Sequence, residues 1–280
     1  MKIKKIKFLI VSLMILGAIL SVLILPNIKF ASSLGNISYF NVSLTISNSI
    51  PSVIYVAAVS DSPSEGTTKV ITFNFNASDA NGVSDIPAGN ALVKINKSGT
   101  TYTSGACIDR GSSGTTQKYE CNVTINYYDT PGIWTINASV FDGAAATADN
   151  TSQYLTLGTT YAISLKTTSL TFSGTPGQNG VSASNNPQVV NNTGNGAFSQ
   201  INLTAYELKS GSNYIGASNF SVNTTNNATG QTLINNTMVL VANSSLAVNN
   251  SRNLYVYLNV PNGVANATYT SVSSWIVTMS

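Results

Sequence analysis

Lys118-Tyr-Glu-Cys-Asn-Val-Thr-Ile-Asn-Tyr127 alternates without a fault. Tyr119, Cys121, Val123, Ile125 and Tyr127 fall on one parity, and Glu120, Asn122, Thr124 and Asn126 on the other. A period of two with one apolar face predicts a half-buried strand. The same pattern spreads outward from it. Downstream, Trp134, Ile136, Ala138 and Val140 line one face; upstream, Ile71, Phe73 and Phe75 alternate with Thr72, Asn74 and Asn76. Ala91 to Ile95 repeats the pattern more weakly, and Val42, Leu44 and Ile46 repeat it cleanly. Turn clusters such as Asp79-Ala-Asn-Gly82, Thr130-Pro-Gly132 and Asp142-Gly143 separate these runs.

Beyond Gly158-Thr-Thr160 the rhythm resumes. Ile163 to Phe172 opens a second module, in which Ile201, Leu203 and Ala205 alternate with Asn202 and Thr204. Phe220 and Val222 follow, then Leu254, Val256, Leu258 and Val260, and finally Trp275, Val277 and Met279. No helical period is sustained after residue 30. The expected division is a hydrophobic N-terminal segment over 1–30, one β-module over 36–158 and another over 161–280.

The N-terminal segment sets the compartment. Lys2, Lys4, Lys5 and Lys7 precede an uncharged run of 18 residues, Phe8 to Leu25, which Pro26 stops. This is the pattern of a signal peptide or a membrane-anchoring helix. The run exceeds the usual signal core of about 7–15 residues and just reaches the roughly 17–25 that span a bilayer, so both fates are open. Either one puts the remainder outside the cytoplasm, secreted or held at the cell surface.

The formal charge of +3 misleads, because Lys2, Lys4, Lys5, Lys7 and Lys29 are five of the thirteen basic residues. Eight basic residues against ten acidic leave the exported part near −2. That excludes the basic surface a nucleic-acid partner needs. Only 8% of the chain is charged, so another device must keep the surface wet. Sixteen Asn-x-Ser/Thr acceptors supply the candidate: Asn36, Asn41, Asn76, Asn96, Asn122, Asn137, Asn150, Asn191, Asn202, Asn219, Asn223, Asn227, Asn235, Asn243, Asn249 and Asn266. Chance would give roughly eight in this composition, which predicts N-glycosylation. Asn41, Asn76, Asn122 and Asn137 lie on the polar parity of their strands, where a sugar stands in solvent.

Cys107 and Cys121 are the only cysteines, and in an oxidising compartment they read as one disulfide. Catalytic signatures are missing. There is no His, no Ser-centred elbow, no paired-carboxylate pattern and no Gly-rich phosphate loop, so neither an enzyme nor a cofactor is expected. One metal candidate stands out: Asp79, Asn81, Gly82 and Asp85 resemble part of a calcium loop. An acidic residue at position 77 would complete such a loop, but the chain has Ala77, and an ordinary Asn-Gly turn is the expectation.

Across Tyr127-Tyr-Asp-Thr-Pro-Gly-Ile-Trp-Thr-Ile-Asn-Ala-Ser-Val-Phe-Asp-Gly143 the chain resembles the late strands of immunoglobulin-like and polycystic-kidney-disease-type sandwiches of archaeal and bacterial surface proteins. Pro187-Gln-Val-Val-Asn-Asn-Thr-Gly-Asn195 resembles CARDB-like adhesion sandwiches. The resemblance implies an all-β chain of two tandem immunoglobulin-like antiparallel sandwiches after the hydrophobic helix. Tyr119-x-Cys121 has the tyrosine-corner spacing of antibody domains, but Trp134 follows that cysteine, so antibody topology and its inter-sheet disulfide are not expected.

Two functional readings follow. One is a glycosylated structural protein of the envelope, surface layer or stalk. The other is an adhesin or carbohydrate binder using exposed aromatics, for which Tyr127, Tyr128, Tyr255 and Tyr257 are candidates, although strand tyrosines covered by a neighbouring loop or domain are the expectation. Partners would be the membrane, other surface proteins, glycans or further copies of the chain. Residues 36–46 pose a separate choice, between the first strand of their own sandwich and a strand donated to a neighbour to build a filament. The short link from Ile46 to Val53 favours the home sandwich.

Overall fold

The computed structural model describes residues 39–280, so the expected N-terminal helix and the sequon at Asn36 lie outside the described residues. The chain divides into two compact units, Met1–Ser47 and Asn48–Ser280. Among the described residues there is no α-helix, only strands and three single-turn 3-10 helices. No helix among them is long and apolar enough to cross a membrane.

Asn48–Ser280 holds two sandwiches. The strands of the first are β1 (Ser52–Val56), β2 (Val59–Asp61), β3 (Thr68–Ser78), β4 (Ala91–Lys97), β5 (Thr100–Thr103), β6 (Ile108–Ser113), β7 (Thr116–Asn126), β8 (Gly132–Phe141), β9 (Thr147–Asn150) and β10 (Tyr154–Leu157). One sheet runs β1-β3-β7-β6 and the other β2-β10-β8-β4-β5, with β9 beside β8. All pairs are antiparallel except β2 with β10. In immunoglobulin lettering this is A-B-E-D packed on A′-G-F-C-C′. The strand order is therefore that of antibody domains, contrary to the expectation drawn from the position of Trp134. Hydrophobic parity and crossover connections set the order of strands; the cysteines and the tryptophan only decorate it.

The core residues are those the alternation picks out. Ile71, Phe73 and Phe75 of β3 and Tyr119, Cys121, Val123 and Ile125 of β7 face Trp134, Ile136, Ala138 and Val140 of β8. Burying each large side chain contributes about 1.5–3 kcal/mol. Two buried polar atoms are satisfied from the backbone: the Tyr119 hydroxyl donates to the Ile86 carbonyl, and Trp134 Nε1 donates to the Thr130 carbonyl at 2.9 Å.

The second sandwich contains β11 (Ile163–Leu165), β12 (Val181–Ser182), β13 (Gln188–Asn192), β14 (Ile201–Ala205), β15 (Leu208–Ser210), β16 (Asn213–Ile215), β17 (Phe220–Asn223), β18 (Gln231–Thr232), β19 (Thr237–Val241), β20 (Ser251–Leu258), β21 (Thr270–Ser271) and β22 (Ile276–Met279). One layer is β11-β13-β20-β17-β18, with β12 also on β20; the other comprises β19-β14-β22 and β16-β15-β21. Val190, Leu254, Val256 and Phe220 of the first layer pack with Ile201, Leu203 and Val241 of the second.

Two readings fail here. Residues 39–46 are not the first strand of a sandwich: that strand is β1, and Tyr39 to Ser47 has no strand assignment. Phe40 is 86% exposed and Leu44 84%. The second failure concerns an outward position on a central strand. Asn202, on the expected solvent parity, is only 3% exposed; Tyr257, on the outward parity of its strand and expected to be covered by a loop or domain, is 7% exposed. Asn202 is flanked by Leu240 and Thr278, and the Tyr257 hydroxyl donates to Asn226 Oδ1. Neighbouring strands bury a short side chain on either face of a sheet, and a loop does the same for the tyrosine.

Candidate functional site

The loop from β3 to β4 and the loop from β8 to β9 lie at the same end of the first sandwich. Each leaves a strand on an aspartate, Asp79 and Asp142. One oxygen from each of Asp79, Asp85 and Asp142 lies within 4.8 Å of the others. Asp79 and Asp142 are buried, and Asp85 is half-buried. The sequence reading joined Asp79 and Asp85 with Asn81 but missed Asp142, which reaches the site only because the two loops meet.

Local chain geometry explains why the carboxylates stay put. Asp79 Oδ1 accepts from the Asn81 backbone N–H at 2.7 Å, an Asx turn that opens the loop. Gly82 follows with a φ of 108°, a region that favours glycine. Asp142 Oδ1 accepts from the N–H groups of Ala144 at 2.9 Å and Ala146 at 2.8 Å. Its Oδ2 accepts from Asn48 Nδ2 at 2.8 Å. That last bond, with the backbone donors, holds the Asp142 carboxyl below its ordinary range despite burial. Asp85 Oδ1 accepts from the Gly143 N–H at 3.1 Å. Asn81 does not turn its side chain to the carboxylates; its Oδ1 accepts from the Ser49 N–H at 2.6 Å.

Cys107 and Cys121 are joined, with Cα atoms 4.4 Å apart. The bond ties the lead-in of β6 to β7 within one sheet, whereas antibody domains bridge the two sheets. Every residue of β6 is exposed. An edge strand with so little burial has few other ties: Arg110 pairs with Glu120 at 2.6 Å, and Gln117 Nε2 donates to Asp109.

Among the described sequons, the asparagines are exposed or half-exposed except Asn202. Asn202 is buried and its Oδ1 lacks a hydrogen-bond partner; a glycan there has no room in the folded chain. The aromatic candidates do not form an open platform. Tyr127 and Tyr128 pack edge to face at 5.1 Å, and the Tyr127 hydroxyl donates to Asn249 Oδ1 at 2.6 Å.

A different surface is open. β22 pairs with β14 on one side, and among the described residues no strand pairs its other side. Trp275, Val277 and Met279 nevertheless point at the core and are only partly buried. Trp275 stacks edge to face on Phe220 at 5.1 Å.

No family model matches the sequence, and no curated protein matches it. Among solved structures the chain is similar to one titled "Anomalous substructure of Titin-A168169", at 10% identity over 82% of this chain and 91% of that one, with a TM-score of 0.34. The immunoglobulin-like assignment rests on the strand order described above.

Proposed function

We propose that the chain is a non-enzymatic, N-glycosylated structural protein of the cell surface, and that its copies join by strand addition. The observation that carries the reading is the stretch Tyr39 to Ile46. Phe40, Val42, Leu44 and Ile46 share one parity, and Tyr39, Asn41, Ser43 and Thr45 the other. The segment thus has the pattern of a half-buried strand, yet its apolar side chains are exposed. Exposed alternating segments of this kind seek a sheet edge.

The receiving edge in this reading is β22 of a second copy. An added strand would pair the free backbone groups of β22 and lay Val42 and Leu44 beside Val277 and Met279. Its polar parity, with the sequon at Asn41, would then face solvent. The N-terminal basic and apolar segment supports export and attachment to the membrane, and the sequon array supports a sugar-coated surface. The tyrosines give little support to an adhesin, because Tyr257 is buried and Tyr127 is engaged within the chain.

Deleting residues 36–46 tests the reading. The full chain should form filaments or oligomers under the electron microscope, and the deleted chain should remain monomeric while capturing a synthetic 36–46 peptide. Assembly that survives the deletion, or a full chain that stays monomeric at every concentration, would overturn it.

A further inference from the structure

We propose that Asp79, Asp85 and Asp142 form a calcium site at the end of the first sandwich where the chain enters it. Two independent observations meet there. The first is convergence: three carboxylate oxygens within 4.8 Å of one another span about twice the calcium–oxygen distance of roughly 2.3–2.6 Å. The second is an orphan. Asp79 is 1% exposed, and its Oδ2 has no hydrogen-bond partner while Oδ1 is held by Asn81. A buried carboxylate oxygen without a donor is costly unless a cation meets it. Among the described residues no Lys or Arg forms an ion pair with the three carboxylates; the ion pairs are Lys69–Asp61 and Arg110–Glu120.

The donor chemistry selects the metal. All three ligands are hard oxygens, the chain has no His, and both cysteines are in the disulfide, so zinc and copper lack their usual nitrogen and sulfur partners. Two irregular loops suit the variable coordination of calcium better than the strict octahedron of magnesium. The Asn48 amide bonds Asp142 Oδ2, and a half-turn of that amide would offer the ion its oxygen as a fourth ligand. Water would complete the shell. Because Asn48 and Ser49 bond Asp142 and Asn81, a bound ion would clamp the chain's entry and both loops together.

Calorimetric titration of the full chain with calcium chloride, together with thermal melting, tests this. Asp85→Asn is the decisive variant, because Asp85 makes a single hydrogen bond to Gly143, whereas Asp79 and Asp142 also cap turns. Gly143→Ala is the second variant: a β-carbon there would stand 2.7 Å from Asp85 Oδ1 and displace it. The wild type should bind one equivalent with a Kd of about 0.1–1 mM, the range of extracellular modules, and its melting midpoint should rise with calcium but not with equal magnesium. Both variants should lose at least about tenfold in affinity while keeping the calcium-free midpoint. No saturable binding by the folded wild type up to about 10 mM calcium, or unchanged affinity in Asp85→Asn, would overturn the proposal.

Discussion

Asn195 Nδ2 donates a hydrogen bond of 3.0 Å to the carbonyl oxygen of Asp129, tying the second sandwich to the turn between β7 and β8 of the first. The same nitrogen reaches the Gly158 carbonyl at 3.0 Å, and Asn195 Oδ1 accepts from the Thr160 N–H at 2.6 Å. One buried side chain thus bonds a turn and both ends of the linker. Replacing it by Ala leaves two carbonyls and an amide short of partners, at about 1–3 kcal/mol for each unsatisfied group. Asn195→Ala should therefore lower the melting midpoint and broaden the interdomain distance distribution in small-angle scattering. A variant with wild-type scattering and stability would show that the lock is elsewhere.

The disulfide should act locally. Closing a loop of this length is worth about 3 kcal/mol in the chain-entropy model, and its main client is β6, whose residues are all exposed. Trypsin should cut the reduced protein at Arg110 before any other site in the first sandwich, and leave the oxidised protein intact there. Equal resistance in both states would contradict this account.

Alkali should weaken the first sandwich. Burial, with the Asp129 carboxylate that accepts its hydroxyl proton, pushes Tyr102 up to about 12, and burial raises Tyr119 as well. In both cases the folded state holds the proton more tightly than the unfolded state. Their contribution is fully present below about pH 10, the ordinary tyrosine value, and is lost as pH rises through the folded values. Urea midpoints should fall steeply above pH 10, and Tyr102→Phe should flatten that fall. A midpoint unchanged between pH 9 and 12 would sink the argument.

Sugar should be distributed unevenly. Glycopeptide mapping of protein from its native source is expected to find Asn96, Asn122 and Asn227 occupied and Asn202 bare. Occupancy at Asn202 would mean that β14 is modified before it folds and that the outer face of its sheet opens to receive the glycan.

The inward faces were legible because the period of two names them directly: Phe73, Tyr119, Trp134 and Leu254 are all buried where the alternation puts them. What alternation does not name is the sheet that receives a strand. Val42, Leu44 and Ile46 carry the same signal as Ile71, Phe73 and Phe75, yet among the described residues only the second set lies in a sheet. Asp142 was invisible as a site residue for a related reason. A loop pattern near Asp79 can be read locally, whereas a carboxylate delivered from β8 depends on which strands end side by side. Asn202 and Tyr257 show the limit of reading the outer parity as solvent, since central strands and covering loops bury it in part.

The parallel pairing of β2 with β10 has a mechanical consequence. Val59, Ser60 and Asp61 lie beside Leu155, Thr156 and Leu157 in the same direction, and Gly158 adds an N–H to the Asp61 carbonyl at 2.7 Å. These strands stand near the entry and the exit of the first sandwich. Tension applied through those two points loads the ladder in shear, so its bonds resist together and are not unzipped one at a time. The first sandwich should therefore yield at higher force when stretched between its ends than when pulled apart across the β6–β7 hairpin.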